Sequence, residues 1–410
     1  MTGSRQEDEH YKSFGNPPPV EIPGSPAIQP ECQGAGGSVR HIPYVDLAAQ
    51  YNAERALIHE CVDEVFSAGR FVGGPRIFEL EAALAQYVGA QEAVALSSGT
   101  DALMLALHVA GVGPGDEVIT APNSFVASAA AIVHVGARPV FVDVREDMNI
   151  DPDLVEAAIT PRTKAILPVH LTGRICAMDD LQQIAGRRQL TLIEDAAQAF
   201  GARFHGRAAG TLGLLGCFSA HPLKNFNAAG DAGFITTDDA ELAARVRRLR
   251  SHGQINRDQI SEWGVNARMD VLQAVLMLRR LPLVAAITEA RRRNAMLYQE
   301  GLAARPEIIL PTCRPHEFNV FHTFIVQTPR RDALQNFLHR RGVGTAIHYP
   351  IPIHLQPPGR ALGYGPGSFP VAERQAATIL SLPIHQHLAP DDIANVIDSV
   401  HAFFSTQGAP

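Results

Sequence analysis

Lys224 stands in the string HPLKN, directly behind the apolar run 215–220. An amine held near apolar surface at a strand end loses affinity for its proton, and the free base can attack an aldehyde. Asp195 closes the string TLIED. A carboxylate at the carboxyl end of a strand points into the crevice where open α/β sheets bind ligands, and it could keep a ring nitrogen protonated; it could equally cap the next helix. Ser98-Gly99-Thr100 ends one apolar run and opens a helical one. Unpaired N–H groups at that helix start, with the Thr100 hydroxyl, suit a phosphate dianion, although a plain strand–turn–helix junction reads the same way. Phe125, in APNSFVAS, could stack on a flat ring or fill the core. Gln198 and Ser219 could bond ring or phosphate oxygens, or satisfy buried backbone.

Each signal is modest alone; a single lysine is ordinarily a solvated charge. Their order carries more. A phosphate-type turn follows the first strand, an aromatic follows the second, an acid ends the fifth, and the lysine comes 29 residues later (224 − 195). The set suits a phosphorylated aromatic aldehyde, pyridoxal 5'-phosphate, whose protonated ring accepts electrons from a substrate carbanion.

These residues need strands to carry them. Candidates are 92–97, 117–120, 139–143, 165–170, 191–194, 215–220 and 233–237, with amphipathic stretches at 101–110, 124–135, 152–159 and 178–187 between the first five. Buried β-rich runs alternating with helices predict an α/β fold, a mostly parallel seven-stranded sheet with helices on both faces. Only about a dozen residues separate the last two runs, so one strand is expected to be antiparallel. A long helical region follows at 239–300. After Pro311 the texture turns α+β: a strand near 321–327, a helix near 331–341, a Pro- and Gly-dense loop at 344–368, and helices near 371–380 and 389–404. The expected division is a flexible extension over 1–40, rich in Pro and Gly, a large domain over 41–285, and a smaller C-terminal α+β domain over 286–410.

The bulk composition excludes several functions. A chain of 410 residues with 46% hydrophobic and 19% charged residues and a net charge of −7 reads as an ordinary globular enzyme without the basic excess that nucleic acid demands. The arginines at 245–250 and 291–293 read as solvated helix faces. Five scattered cysteines, Cys32, Cys61, Cys176, Cys217 and Cys313, give no disulfide framework and fit a reducing compartment. No apolar run is expected to reach membrane-spanning length, and the polar N-terminus lacks a secretory signal, so the cytoplasm is the expected location. His348, His354, His385 and His387 lie close in sequence but match no metal-ligand spacing, and the glycine-rich stretches GVGPGDE and GDAG match no nucleotide loop.

The blocks SSGTDALMLAL, GVGPGDEVIT, VGARPVFVDV, IEDAAQAFGA, GCFSAHPLKN, GDAGFITT, NARMD and IHYPIPIHLQP, in this order, resemble the DegT/DnrJ/EryC1/StrS family of sugar aminotransferases, of the aspartate-aminotransferase-like fold type I. The resemblance runs from about 41 to 405. It implies that Lys224 is the Schiff-base lysine and proton-transfer base, that Asp195 partners the pyridine nitrogen, that Gln198 lies near the ring hydroxyl and that Phe125 stacks on the ring. Gly99, Thr100 and Ser219 would hold the phosphate. Asn266, in NARMD, would reach the phosphate of a neighbouring subunit, which implies a homodimer with shared sites. His348 and Tyr349 would border the sugar. The implied reaction moves an amino group from an amino acid, glutamate first, to a nucleotide-linked keto sugar. Three alternatives accompany it: a pyridoxamine-dependent deoxysugar dehydratase, which carries His in place of the lysine; an aminocyclitol aminotransferase; and a non-enzymatic cofactor-binding regulator. Ala232 departs from the commoner GDGG and adds a Cβ beside the site.

Overall fold

A computed structural model describes residues 40–405. The extension expected over 1–40 lies outside them except for Arg40, which pairs with Asp392 at 2.6 Å. Two helices that the sequence reading did not name come first, α1 (Leu47–Ala68) and α2 (Pro75–Val88). Asp46 caps α1 by accepting from the Ala49 N–H at 2.7 Å. On α2, Ile77, Leu80, Leu84 and Val88 recur at helical spacing and are buried.

The central sheet is built from β1 (Glu92–Leu96), β2 (Glu117–Thr120), β3 (Arg138–Phe141), β4 (Thr163–Leu167) and β5 (Thr191–Asp195). A short hairpin, β6 (Arg203–Phe204) and β7 (Arg207–Ala208), precedes β8 (Leu215–Ser219) and β9 (Gly233–Thr237). The seven long strands stand in the order β1-β9-β8-β5-β4-β2-β3. β9 runs antiparallel to both β1 and β8, and the other pairings are parallel, as the short β8–β9 connection predicts. Helices α3 (Gly99–Val109), α4 (Ala127–His134), α5 (Pro152–Ala158), α6 (Met178–Arg188) and α7 (Ala240–Leu249) accompany the sheet. Two buried clusters sandwich it. One holds Leu80, Ile119, Ile166, Phe218 and Phe234, and the other Val94, Leu107, Val118, Leu167 and Ile235. Successive residues of one strand enter opposite clusters, which is the period-two signature of a sheet covered on both faces.

The long helix expected over 239–300 is interrupted. After α7 the chain forms a loop tied by the bridges Ser251↔Asn266 and Gln254↔Ile260 before α8 (Val271–Arg280) and α9 (Val284–Leu302). Gly253 has φ +74°, and a Cβ on it would overlap the Glu262 carbonyl; a helical path is closed to it. The helical stretch Val271–Leu302 is long and apolar enough to pass for a membrane span by length and composition alone, although Arg279 and Arg280 interrupt its apolar run. Its residues Ala274, Met277, Val284, Ala295 and Tyr298 are instead buried within the protein.

The remaining elements are β10 (Glu317–Phe318), β11 (Phe324–Gln327), α10 (Arg331–Arg340), α11 (Pro357–Ala361), α12 (Pro370–Thr378), β12 (Ile379–Leu382) and α13 (Pro390–Ser405). β11 and β12 pair antiparallel; the helix expected near 371–380 ends at Thr378, and β12 takes over from Ile379. Tyr298, Phe324, Leu338, Leu382 and Phe403 form a separate core that also takes in Ile42. The boundary expected at 285/286 falls within the first turn of α9.

Candidate active site

Three strand ends and a helix start meet at one point. Ser98 caps α3, its Oγ accepting from the Asp101 N–H at 3.0 Å. A Cβ on Gly99 would come within 2.7 Å of Ser219 Cβ, and one on Gly233 would overlap the Ser98 backbone. Glycine is therefore required for β1, β8 and β9 to close around the start of α3. The first-turn N–H groups of α3 have no partner within the helix, and the hydroxyls of Thr100 and Ser219 stand beside them on a cavity of about 340 Å³. This cradle of glycine, N–H and hydroxyl suits a phosphate.

Asp195 is buried at the end of β5. Ser128 Oγ donates to its Oδ2 at 2.7 Å, and the Ala197 N–H donates to Oδ1 at 3.2 Å. No helix begins after it, so the capping alternative fails; residues 196–200 form turns. Burial raises the carboxyl pKa, and the Ser128 hydrogen bond opposes that rise.

Lys224 is half-buried in the loop that leaves β8, its N–H donating to the His221 carbonyl at 2.8 Å. Burial pulls the amine down to about 8, with Asp195 acting in the opposite direction. Among the described residues it forms no ion pair, and Asp195 acts on it only through its field. The amine is thus poised as a nucleophile and base close to neutral pH.

Phe125 is 55% exposed rather than core, and its ring centroid lies 5.9 Å from that of Tyr349. Gln198 Oε1 accepts from the Thr172 N–H at 2.8 Å, and Gln198 also bonds the Tyr349 side chain. Burial pushes Tyr349 up to about 12. His348 bonds Ser381 Oγ through Nδ1 at 2.9 Å and stacks on Tyr44. Burial, then the positive Lys224, pulls His348 down to about 4, leaving it neutral.

Gly99, Thr100, Phe125, Asp195, Gln198, Ser219, Lys224, His348 and Tyr349 all line this one cavity. Asn266 does not. It is exposed beyond it, with Oδ1 accepting from Arg268 Nε at 3.1 Å. Sequence reasoning missed Tyr44, Ser128, His221, Asp231, Arg291, His322 and His385, which also line it. His221 sits in the same HPLK string as the lysine and was within reach; Tyr44 and His385 come from opposite ends of the chain and carry no local signal. The reading of 245–250 and 291–293 as solvated faces is wrong for Arg247 and Arg250, which pair with Glu81, and for Arg291, which is buried. Amphipathic spacing does not distinguish a charged face turned to water from one turned to a buried partner.

The fold, with a lysine and a buried acid facing one cavity, is that of a pyridoxal-phosphate-dependent aminotransferase of fold type I. The DegT/DnrJ/EryC1/StrS aminotransferase family profile matches residues 52–401. A Geobacillus stearothermophilus protein named pleiotropic regulatory protein is 41% identical, over 89% of this chain and 99% of its own. The dTDP-3-amino-3,4,6-trideoxy-alpha-D-glucose transaminase of Streptomyces venezuelae is 43% identical, over 88% of this chain and 95% of its own. The crystal structure of S. venezuelae DesV in complex with a ketimine intermediate superposes with a TM-score of 0.87 at 42% identity, covering 88% of this chain and 98% of that one. The chain belongs to the DegT/DnrJ/EryC1/StrS aminotransferase family.

Proposed function

We propose that this enzyme moves an amino group from an amino acid, L-glutamate first, to a keto sugar carried on a nucleotide, in amino-sugar biosynthesis. The observation that carries the reading is a lysine with a lowered pKa and no carboxylate partner, facing the same cavity as a buried Asp195. That lysine is the group the dehydratase alternative lacks. The relatives' names support a nucleotide-linked acceptor.

Bound in this cavity, pyridoxal phosphate supplies an aldehyde that holds the amino group and a ring that takes up the electron pair of the substrate carbon. Gly99, Thr100 and Ser219 would hold the phosphate. Asp195, whose carboxylate Ser128 orients, would offer its charge to the ring nitrogen. Phe125 would cover the ring, and Gln198 would lie near its hydroxyl. Lys224 Nζ, as the free amine, takes a proton from the donor's α-carbon and later returns one to the acceptor carbon. His348 and Tyr349 border the sugar.

A phosphate with nearly two negative charges asks for more donors than one helix start and two hydroxyls provide. Asn266 would supply an amide from a second copy of the chain. Its loop exposes Ile255, Ile260, Val265 and Trp263, an apolar set suited to burial against that copy in a two-fold homodimer.

The test is direct. Purified enzyme with the cofactor, L-glutamate and a panel of dTDP- and UDP-linked keto sugars should release 2-oxoglutarate and form an amino sugar. Borohydride reduction should fix the cofactor on the peptide bearing Lys224 and on none in Lys224→Ala. Cofactor found covalently bound in that variant, or no amination across the panel, would overturn the reading.

A further inference from the structure

Five arginines are buried among the described residues: Arg174, Arg250, Arg280, Arg291 and Arg331. Four have a carboxylate. Arg174 pairs with Glu317 at 2.9 Å, Arg280 with Glu54 at 2.7 Å, Arg331 with Asp332 at 2.5 Å, and Arg250 with Glu81. Arg291, on α9 and 7% exposed, forms no ion pair among the described residues. Its Nη1 donates to two neutral acceptors, the carbonyls of Phe321 at 3.2 Å and His322 at 3.3 Å. Its Nε–H is buried with no acceptor at all.

A guanidinium out of water without a counter-charge is expensive, and such groups persist where a ligand completes them. Arg291 lines the same cavity as Lys224. The groups that act on it or feel it there do not offset its charge. Tyr44 and His385 are neutral at pH 7, since burial raises the phenol and lowers the imidazole; His322 is likewise held neutral. The cavity's two carboxylates are engaged elsewhere, Asp195 with Ser128 and the field of Lys224, and Asp231 beside His221. Burial draws Arg291 itself down to about 10, which leaves it charged at neutral pH.

We propose that Arg291 is the anchor for a carboxylate of the amino-acid donor, completed as an ion pair only while the donor is bound. The inference deepens the aminotransfer reading and rests on it. An arginine fork matches a carboxylate with two parallel hydrogen bonds, which a neutral sugar hydroxyl cannot replace. Arg291 thereby selects the donor without touching the proton that Lys224 moves.

The experiment separates the two half-reactions in holoenzyme carrying Arg291→Gln or Arg291→Lys. Without acceptor, the L-glutamate concentration that half-converts the cofactor should rise about a hundredfold in Arg291→Gln, the size of one lost charge-assisted pair. Arg291→Lys should recover part of it. Amination of the keto sugar by the pyridoxamine-loaded variant should change by less than about threefold, because the acceptor brings no carboxylate to this point. Glutarate, a dicarboxylate with no amino group, should bind wild-type holoenzyme by calorimetry and lose the same factor in Arg291→Gln. That measurement stands whether or not amino transfer occurs, so failure of the aminotransfer reading and failure of the Arg291 role are told apart. Unchanged glutamate saturation and glutarate binding in a folded Arg291→Gln would reduce Arg291 to a tether for the Phe321 loop. A loss confined to the keto-sugar half-reaction would assign the anion to the acceptor and overturn the proposal.

Discussion

On the proposed assignment of Lys224 as the Schiff-base lysine, removing the cofactor should expose its amine, and the reaction with added pyridoxal phosphate should report its protonation. An unperturbed lysine titrates near 10.5, whereas burial draws Lys224 to about 8. At neutral pH this leaves roughly a tenth of the lysine as free amine, rather than less than about a thousandth. The assay mixes apoenzyme with pyridoxal phosphate at a series of pH values and follows covalent capture, trapped by borohydride and read as the mass of the Lys224 peptide. The rate should climb about tenfold per unit below pH 8 and flatten above it. Asp195 favours the charged amine, so Asp195→Asn should move the midpoint down. A midpoint above about 9.5, or an upward move in Asp195→Asn, would show that the amine is not enclosed as the structure has it.

Asp195→Ala should lower turnover about a hundredfold with the fold retained, the scale of one preorganised charge at the reacting centre; a near-normal rate would strip the residue of its role. Ser128→Ala removes a hydrogen bond to the ionised carboxylate and should cost about tenfold in turnover, with a raised Asp195 pKa visible as a loss at the acid side of the pH profile. Gly99→Ala must push Ser219 aside and should weaken cofactor binding at least tenfold, measured by equilibrium dialysis. On the proposed shared-site dimer, Lys224→Ala and Asn266→Ala should each be impaired alone and regain some activity when co-expressed, since a mixed dimer would hold one intact site. Verified mixed dimers without recovery would return Asn266 to its own chain.

Much of the sheet was legible in the sequence because each strand is a short apolar run that ends at a chemically distinct residue. Leu96 leads into Ser98-Gly99, Asp195 closes β5 and Ser219 closes β8, so the local string names both the element and its cargo. The single antiparallel strand followed from the length of one connection. Helices α1 and α2 were missed because nothing chemical marks them, and the break at 250–270 because alanine, leucine and arginine suit a helix whether or not Gly253 must bend. Lys224 and Asp195 stood out as candidates by residue type and order, and the resemblance supplied the roles proposed for them. Their environment was not legible there. The amine's pKa depends on what encloses it, the carboxylate's orientation on Ser128 from α4, and the state of Arg291 on which groups face it. Burial and the lack of a counter-charge are properties of neighbours brought together from distant parts of the chain, as Tyr44 and His385 are around Arg291. Only the folded protein decides them.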